Sequence, residues 1–152
     1  MDAEKFALRR AVRGDQPAIR ALIHAVHINP MGVDWRRFVV AVDEGGQLVG
    51  GGQIKVHGDG ARELASIAVV EGWRGRGVAR AVIEELMANA DPPLWLACRS
   101  RLAPLYQKFG FRRIGPSERL PRYFSLVRSM VSVLTSMSNA DEGLAIMVWR
   151  GD

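Results

Sequence analysis

Apolar residues in this 152-residue chain fall into short runs of two periods, broken by clusters of glycine, proline and Asn/Asp. Phe6 to Val12 reads as a first strand. Asp15 can cap a helix running to Ile28, with Pro17 near its start and Ala18, Leu22, Ile23 and Val26 as its apolar face. Asn29-Pro30-Met31-Gly32 ends it. Arg37–Val42 and Leu48–Val56 are strands joined by Asp43-Glu44-Gly45-Gly46, and His57-Gly58-Asp59-Gly60 turns the chain into a strand over Arg62–Val70. Gly75–Ala90 is the clearest helix, because Val78, Val82 and Leu86 stack at four-residue spacing beside Ala79, Ile83 and Ala90. Asp91-Pro92-Pro93 stops it.

Leu94–Cys98 carries no charge and reads as a central strand. Leu102–Phe109 is a short helix ended by Gly110, with Leu102, Leu105, Tyr106 and Phe109 on one face. Phe111–Ile114 is a strand. Pro121–Thr135 is a helix with Tyr123, Val127, Met130, Val131 and Leu134 along one side. A polar loop, Ser136–Gly143, precedes a last strand over Leu144–Trp149. The element order is β-α-β-β-β-α-β-α-β-α-β. Three successive strands imply antiparallel hairpins, and the strand–helix–strand unit over Arg62–Arg99 implies a parallel pair. The expected fold is α/β (α+β), a mixed central β-sheet flanked by helices, in a single domain over residues 1–152.

Composition narrows the class of protein. The balance of 21 Lys and Arg against 16 Asp and Glu gives a net charge of +5. The basic residues are scattered, and the largest clusters are pairs such as Arg9-Arg10, Arg36-Arg37 and Arg112-Arg113. No helix carries a basic stripe, so a nucleic-acid partner is not expected. No apolar run reaches the length of a membrane span, and Met1–Lys5 lacks the apolar core of a signal peptide. Cys98 is the only cysteine, which excludes an intrachain disulfide and fits a reducing cytoplasm. His24 and His27 lie one helical turn apart without further ligands at suitable spacing, so no metal site is expected.

The chemistry concentrates in Arg74-Gly75-Arg76-Gly77-Val78-Ala79. A hydrophobic strand runs into this glycine-rich turn and a helix follows at once. Successive backbone N–H groups, the unpaired donors of the first helical turn and the positive end of its dipole together suit a phosphate or pyrophosphate. Arg74 and Arg76 can add charge-assisted contacts.

With these residues the chain resembles the GNAT superfamily of N-acetyltransferases. The family's signature starts with Arg or Gln, has Gly three residues later and Gly or Ala two beyond, as in Arg74, Gly77 and Ala79. Leu105-Tyr106-Gln107-Lys108-Phe109-Gly110-Phe111 is similar to the family's Tyr-then-Gly-Phe element, and the element order over Phe6–Trp149 agrees. The helix over Pro121–Thr135 is a departure, since many members have a loop there. The resemblance implies acetyl-CoA as co-substrate, with its pyrophosphate on the N–H groups of Arg74, Gly75, Arg76, Gly77, Val78 and Ala79. It also implies that the pantetheine arm pairs with the main chain of Ile67, Ala68 and Val69.

By the same resemblance Tyr106 is the general acid for the leaving thiolate, and Glu63, eleven positions before Arg74, is the base. Each has a plainer reading, Tyr106 as core packing and Glu63 as a solvated residue opening its strand. Strand alternation places Glu63, Ala65, Ile67 and Val69 on one face. Met31, Asp34 and Trp35 are candidates for the acceptor pocket, Asp34 to attract a cationic amine. Tyr123 and Phe124 are candidates for a lid. The expected activity is acetyl transfer to a primary amine of a small molecule or peptide, in a monomer or homodimer. The alternative is a regulatory protein that binds acyl-CoA without turnover.

Overall fold

A computed structural model describes residues 5–138 and 143–151. The chain divides into two compact units, Met1–Lys55 with Leu64–Ala90, and Val56–Glu63 with Asp91–Asp152. Along the chain the elements are β1 (Phe6–Arg10), α1 (Gln16–Ala25), β2 (Phe38–Asp43), β3 (Leu48–Val56), β4 (Arg62–Val69), α2 (Val78–Ala88), β5 (Leu94–Arg99), α3 (Ala103–Gln107), β6 (Arg112–Arg113), α4 (Arg122–Ser138) and β7 (Leu144–Trp149). The hydrogen-bonded strand order is β1-β2-β3-β4-β5-β7-β6. The sheet is mixed, as the element order requires: β4 and β5 run parallel, and β1–β2, β2–β3, β5–β7 and β6–β7 are antiparallel.

In the first unit α1 buries Ile19, Leu22 and Ile23 against Phe38, Val40, Val33 and Ala68. Ala18, expected on this face, is exposed. Asp15 precedes the helix but does not bond into it. Its carboxylate accepts the Val12 N–H at 2.7 Å and the Arg9 guanidinium at 2.7 and 3.0 Å, tying down the chain before α1 instead. The helix ends at Ala25, three residues short of Ile28, and His27 takes a φ of 58°. α2 buries Val78, Val82, Ile83 and Leu86. It lies directly on β3, where a Cβ at Gly50 would come within 2.6 Å of Val78 Cγ1. A Cβ at Gly52 would stand 3.1 Å from Val82 Cγ1 and 3.2 Å from Leu86 Cδ1. Ser66 takes a φ of 61° inside β4, so the expected alternation through Glu63, Ala65, Ile67 and Val69 is interrupted there.

In the second unit β7 lies between β5 and β6, and Glu63 at the start of β4 pairs with Trp95. Trp95, Phe124, Ile146 and Val148 form its core, with Tyr123, Ile114 and Leu144 packed around them. α3 is shorter than the pattern implied and buries a different face. Ala103 and Tyr106 are inside, while Leu102 and Leu105 are 39% and 37% exposed. Pro104 sits in the first turn, where its missing N–H is not needed. α4 extends past Thr135 to Ser138, three residues into the expected loop. Its buried anchor is Phe124, whereas Met130, expected on the apolar side, is 64% exposed. The side chains of Val131 and Leu134 lie outside the described residues. No helix among the described residues is long and apolar enough to cross a membrane.

Candidate active site

The residues expected to grip a phosphate lie just past the end of β4. A single 3-10 turn, Glu71–Trp73, leads into Arg74–Gly77, and α2 begins at Val78 rather than at Gly75. Gly75 and Gly77 have φ of 78° and 84°, a region closed to most L-residues. A Cβ at either would meet nothing within 4 Å, so the requirement here is conformation and not space. Gly77 is the N-cap of α2, and as glycine it has no side chain to bond the helix start. The first-turn N–H groups therefore keep their bonding capacity beside an exposed loop. Arg76 lies over the Trp73 ring at 5.2 Å, and Trp73 meets Phe6 edge to face at 6.3 Å. This donor set suits a pyrophosphate.

Of the three residues expected to meet the pantetheine arm, Ala68 is buried in the first core, and Ile67 and Val69 are half-buried. The positive φ of Ser66 just before them distorts the strand. Its Oγ accepts the Gln53 amide N–H at 2.9 Å, and Gln53 also donates to the Gly32 carbonyl at 3.2 Å. Lys55 Nζ donates to the Met31 carbonyl at 2.8 Å. Gln53 and Lys55, both buried, thus fix the loop after α1 to β3. Sequence reasoning missed them, although two polar residues at a spacing of two within an apolar strand are a readable sign of a buried polar contact.

The acceptor-side candidates do not converge. Met31 is 73% exposed. Asp34 and Trp35 line an open depression of about 700 Å³, together with Gln16, Arg20, Arg36 and Arg37, but Met31 is not on its wall. Asp34 serves as a cap, since its Oδ1 accepts the Arg36 N–H at 2.9 Å, which holds the carboxyl below its ordinary range. The arginines around it outnumber it, so its expected pull on a cationic amine is offset. Trp35 packs against the first core with Arg36 over its ring at 5.1 Å.

Tyr106 is buried on α3 and packs edge-on to Phe111 at 6.2 Å. Burial pushes its phenol up to about 12, with a smaller contribution from the neighbouring Cys98. Cys98 is half-buried, and burial likewise raises its thiol.

Glu63 is buried rather than solvated. Its Oε1 lies 2.8 Å from Nε2 of His57. Which group donates depends on the imidazole tautomer; in the Nε2–H tautomer the ring donates and the Glu63 carboxylate accepts. The ring of His57 stacks on Tyr123, with centroids 3.5 Å apart and planes within 12°. Asp59 accepts the N–H groups of Ala61 at 2.9 Å and of Tyr123 at 3.1 Å, which holds its carboxyl below the usual range. The β3–β4 turn and the first turn of α4 are thereby bound together. Burial and the charge of Glu63 raise the Tyr123 phenol. Phe124, expected as a lid, is wholly enclosed in the core. His57 carries no motif, yet a histidine and a glutamate flanking a Gly-Asp-Gly turn are brought side by side by the hairpin.

Residues 34–113 match the family model described as "Acetyltransferase (GNAT) domain". The chain belongs to the GNAT acetyltransferase family. As a GNAT protein it is an acyltransferase, and GNAT enzymes use acetyl-CoA as co-substrate. The matched stretch holds Glu63, the Arg74–Ala79 turn and Tyr106, and leaves out α4 and β7. No curated protein matches this GNAT chain. Among solved structures it is similar to Rv2747 from Mycobacterium tuberculosis in complex with CoA, at 20% identity and a TM-score of 0.67, covering 95% of this chain and 98% of that one. It is also similar to the ribosomal-protein-S18-alanine N-acetyltransferase from Escherichia coli, at 18% identity and a TM-score of 0.66, covering 96% and 94%. For the N-acetylglutamate synthase from Neisseria gonorrhoeae complexed with coenzyme A and N-acetyl-glutamate the values are 18% and 0.66, covering 98% of this chain and 36% of that one. These likenesses establish the GNAT fold and nothing about the acceptor.

Proposed function

We propose that this chain, acting as one domain, moves the acetyl group of acetyl-CoA to a primary amine by direct attack in a ternary complex. The observation that carries the proposal is the turn at Gly75 and Gly77, with both residues at positive φ, opening an α2 that no side chain caps. Acetyl-CoA, when bound, supplies the activated acetyl thioester. The N–H groups of Gly75 to Ala79 hold its pyrophosphate; the Arg74 N–H, expected among them, is instead taken up by the Glu71 carbonyl at 3.2 Å, and Arg74 and Arg76 add charge through their guanidiniums. Ile67, Ala68 and Val69 offer main-chain groups to its arm, a role compatible with the burial of the Ala68 side chain.

Glu63 accepts the proton of the attacking ammonium, and Tyr106 faces the leaving sulfur with its phenol protonated. On the acceptor side Trp35 and Asp34 share one depression, Asp34 as the cap of its loop, and Met31 stands outside it. Names among the structural relatives, an N-acetylglutamate synthase and a ribosomal-protein alanine N-acetyltransferase, support a small-molecule or peptide amine as the acceptor class. A reducing cytoplasm suits the single thiol, Cys98.

Calorimetric titration with acetyl-CoA, and with desulfo-CoA and ATP as comparisons, tests the reading. Micromolar affinity for both CoA compounds and much weaker binding of ATP are expected, followed by thiol release with an amine from a panel. Gly77→Val puts a β-branched residue at a φ of 84° and abolishes CoA affinity while the far-UV spectrum stays native. Full affinity in that variant, or no binding by the folded wild type, overturns the assignment of the loop.

A further inference from the structure

We propose that His57 is the positioning residue for Glu63, and that α4 takes part in this through Tyr123. The inference rests on the reading of Glu63 as the base. Three observations within the second unit carry it. His57 Nε2 and Glu63 Oε1 are 2.8 Å apart, with side chains only 15% and 10% exposed. A buried carboxylate bonded to an N–H donor is held in one direction far better than a free one. The imidazole itself has little freedom to turn, because Tyr123 covers one face at 3.5 Å and Phe124 meets it edge-on at 6.1 Å. Tyr123 is in turn pinned at its backbone by Asp59, whose carboxylate also holds the N–H of Ala61 in the same turn.

The titratable groups facing His57 are Glu63 on β4, Asp59 in the turn and Tyr123 on α4. Of these Glu63 is the one within hydrogen-bond distance of Nε2, and in the proposed arrangement it accepts the Nε2 proton. The arrangement has the logic of a base oriented by a third group, with roles exchanged: the histidine orients and the carboxylate accepts. α4 lies beyond the residues matched by the family model, so this support comes from a part of the chain outside the shared domain. During the reaction the proton leaves the acceptor nitrogen for the Glu63 carboxylate. The His57 Nε2–H bond keeps the other lone pairs of that carboxylate aimed at the amine.

The test uses the full chain and three variants. His57→Phe keeps a ring against Tyr123 and removes the donor. His57→Gln keeps an N–H donor without a titrating ring. Glu63→Gln removes the proposed base. With the amine found in the panel, His57→Phe is expected to lower kcat roughly ten- to a hundredfold while KM for acetyl-CoA stays at the wild-type value. Tm falls as well, because buried Glu63 loses its donor, and the unchanged KM together with rescue by His57→Gln separates positioning from a loss of fold. His57→Gln restores most of the rate. Independently of any acceptor, 15N imidazole spectra of the free protein are expected to show the Nε2–H tautomer of His57, altered in Glu63→Gln.

A wild-type kcat in His57→Phe beside an inactive Glu63→Gln overturns the role of His57 and leaves Glu63 as the base. Full activity in Glu63→Gln refutes Glu63 itself, and so the inference with it. A wild-type His57 with its proton on Nδ1 overturns the contact from which the proposal starts.

Discussion

Replacing Tyr106 with phenylalanine deletes one oxygen from a buried ring and leaves its packing against Phe111 in place. The size of the effect follows from the state of the phenol. Burial raises it to about 12, whereas a free alkyl thiol titrates near 8.5. The gap of roughly 3.5 pH units makes complete transfer of the phenolic proton to a departing thiolate uphill by about 5 kcal/mol. In the proposed reaction Tyr106 therefore stabilises charge growing on sulfur by donating a hydrogen bond, and it keeps its proton. A hydrogen bond to a charged partner is worth about 1.5–3 kcal/mol, so Tyr106→Phe is expected to slow kcat by about 10- to 150-fold. The Kd for acetyl-CoA, read by calorimetry, stays unchanged. Thiol release followed with a chromogenic disulfide supplies kcat. Because the phenol stays protonated up to about 12, Tyr106 adds no alkaline limb to the wild-type profile below about pH 10, and the mutant profile runs parallel to it. Unchanged turnover removes Tyr106 from the reaction. An alkaline limb near neutrality that vanishes in the mutant refutes the argument from burial.

Stability carries the same signature. The folded phenol titrates at about 12 and its ordinary value is 10.0, so its contribution is intact below about pH 10 and is lost as pH climbs toward 12. The loss amounts to about 2–3 kcal/mol. Denaturant melts across that range show a steeper slope in the wild type than in Tyr106→Phe, where the raised Tyr123 phenol and Cys98 thiol still contribute. Gly52→Ala drives a methyl group into Ile67 Cδ1 and places it 3.1 Å from Val82 Cγ1 and 3.2 Å from Leu86 Cδ1. It is expected to cost about 1–3 kcal/mol in urea melts. A neutral result means that Ile67 turns aside and the α2 side chains give way without loss.

The order and type of the elements were legible because each apolar run keeps one period and ends at a recognisable break. Leu48–Val56 and Leu144–Trp149 begin and end where the pattern puts them. The phosphate turn was legible for a stronger reason, since its glycines are demanded by backbone angles that the sequence announces locally. What escaped depends on contacts distant along the chain. Glu63 looked like a solvated residue because nothing near it reveals that His57 and Tyr123 enclose it. The face of α3 was misread because i, i+3, i+4 spacing marks a stripe without saying how much of it a five-residue helix can bury. Asp34 offered a charge in the sequence, and the N–H of Arg36 takes it up. Ser66 gave no hint of its positive φ or of the hydrogen bond it accepts from Gln53 across the strand pair.

The glycines of β3 have a bearing on the binding loop that neither residue type nor distance along the chain suggests. Gly50 stands under Val78, the first residue of α2 and the neighbour of Gly77 in the phosphate turn. The bare strand works as a shim of minimum thickness, and its thickness sets the height at which the loop is presented. A side chain at position 50 would meet Val78 Cγ1 at 2.6 Å and the Ala68 carbonyl at 3.1 Å, so it is expected to shift the helix start and with it the N–H groups that face the ligand in the proposed scheme. Gly50, which touches no ligand in the proposed scheme, is thus under the same restraint as the loop, and drift at that position registers first as weakened coenzyme affinity.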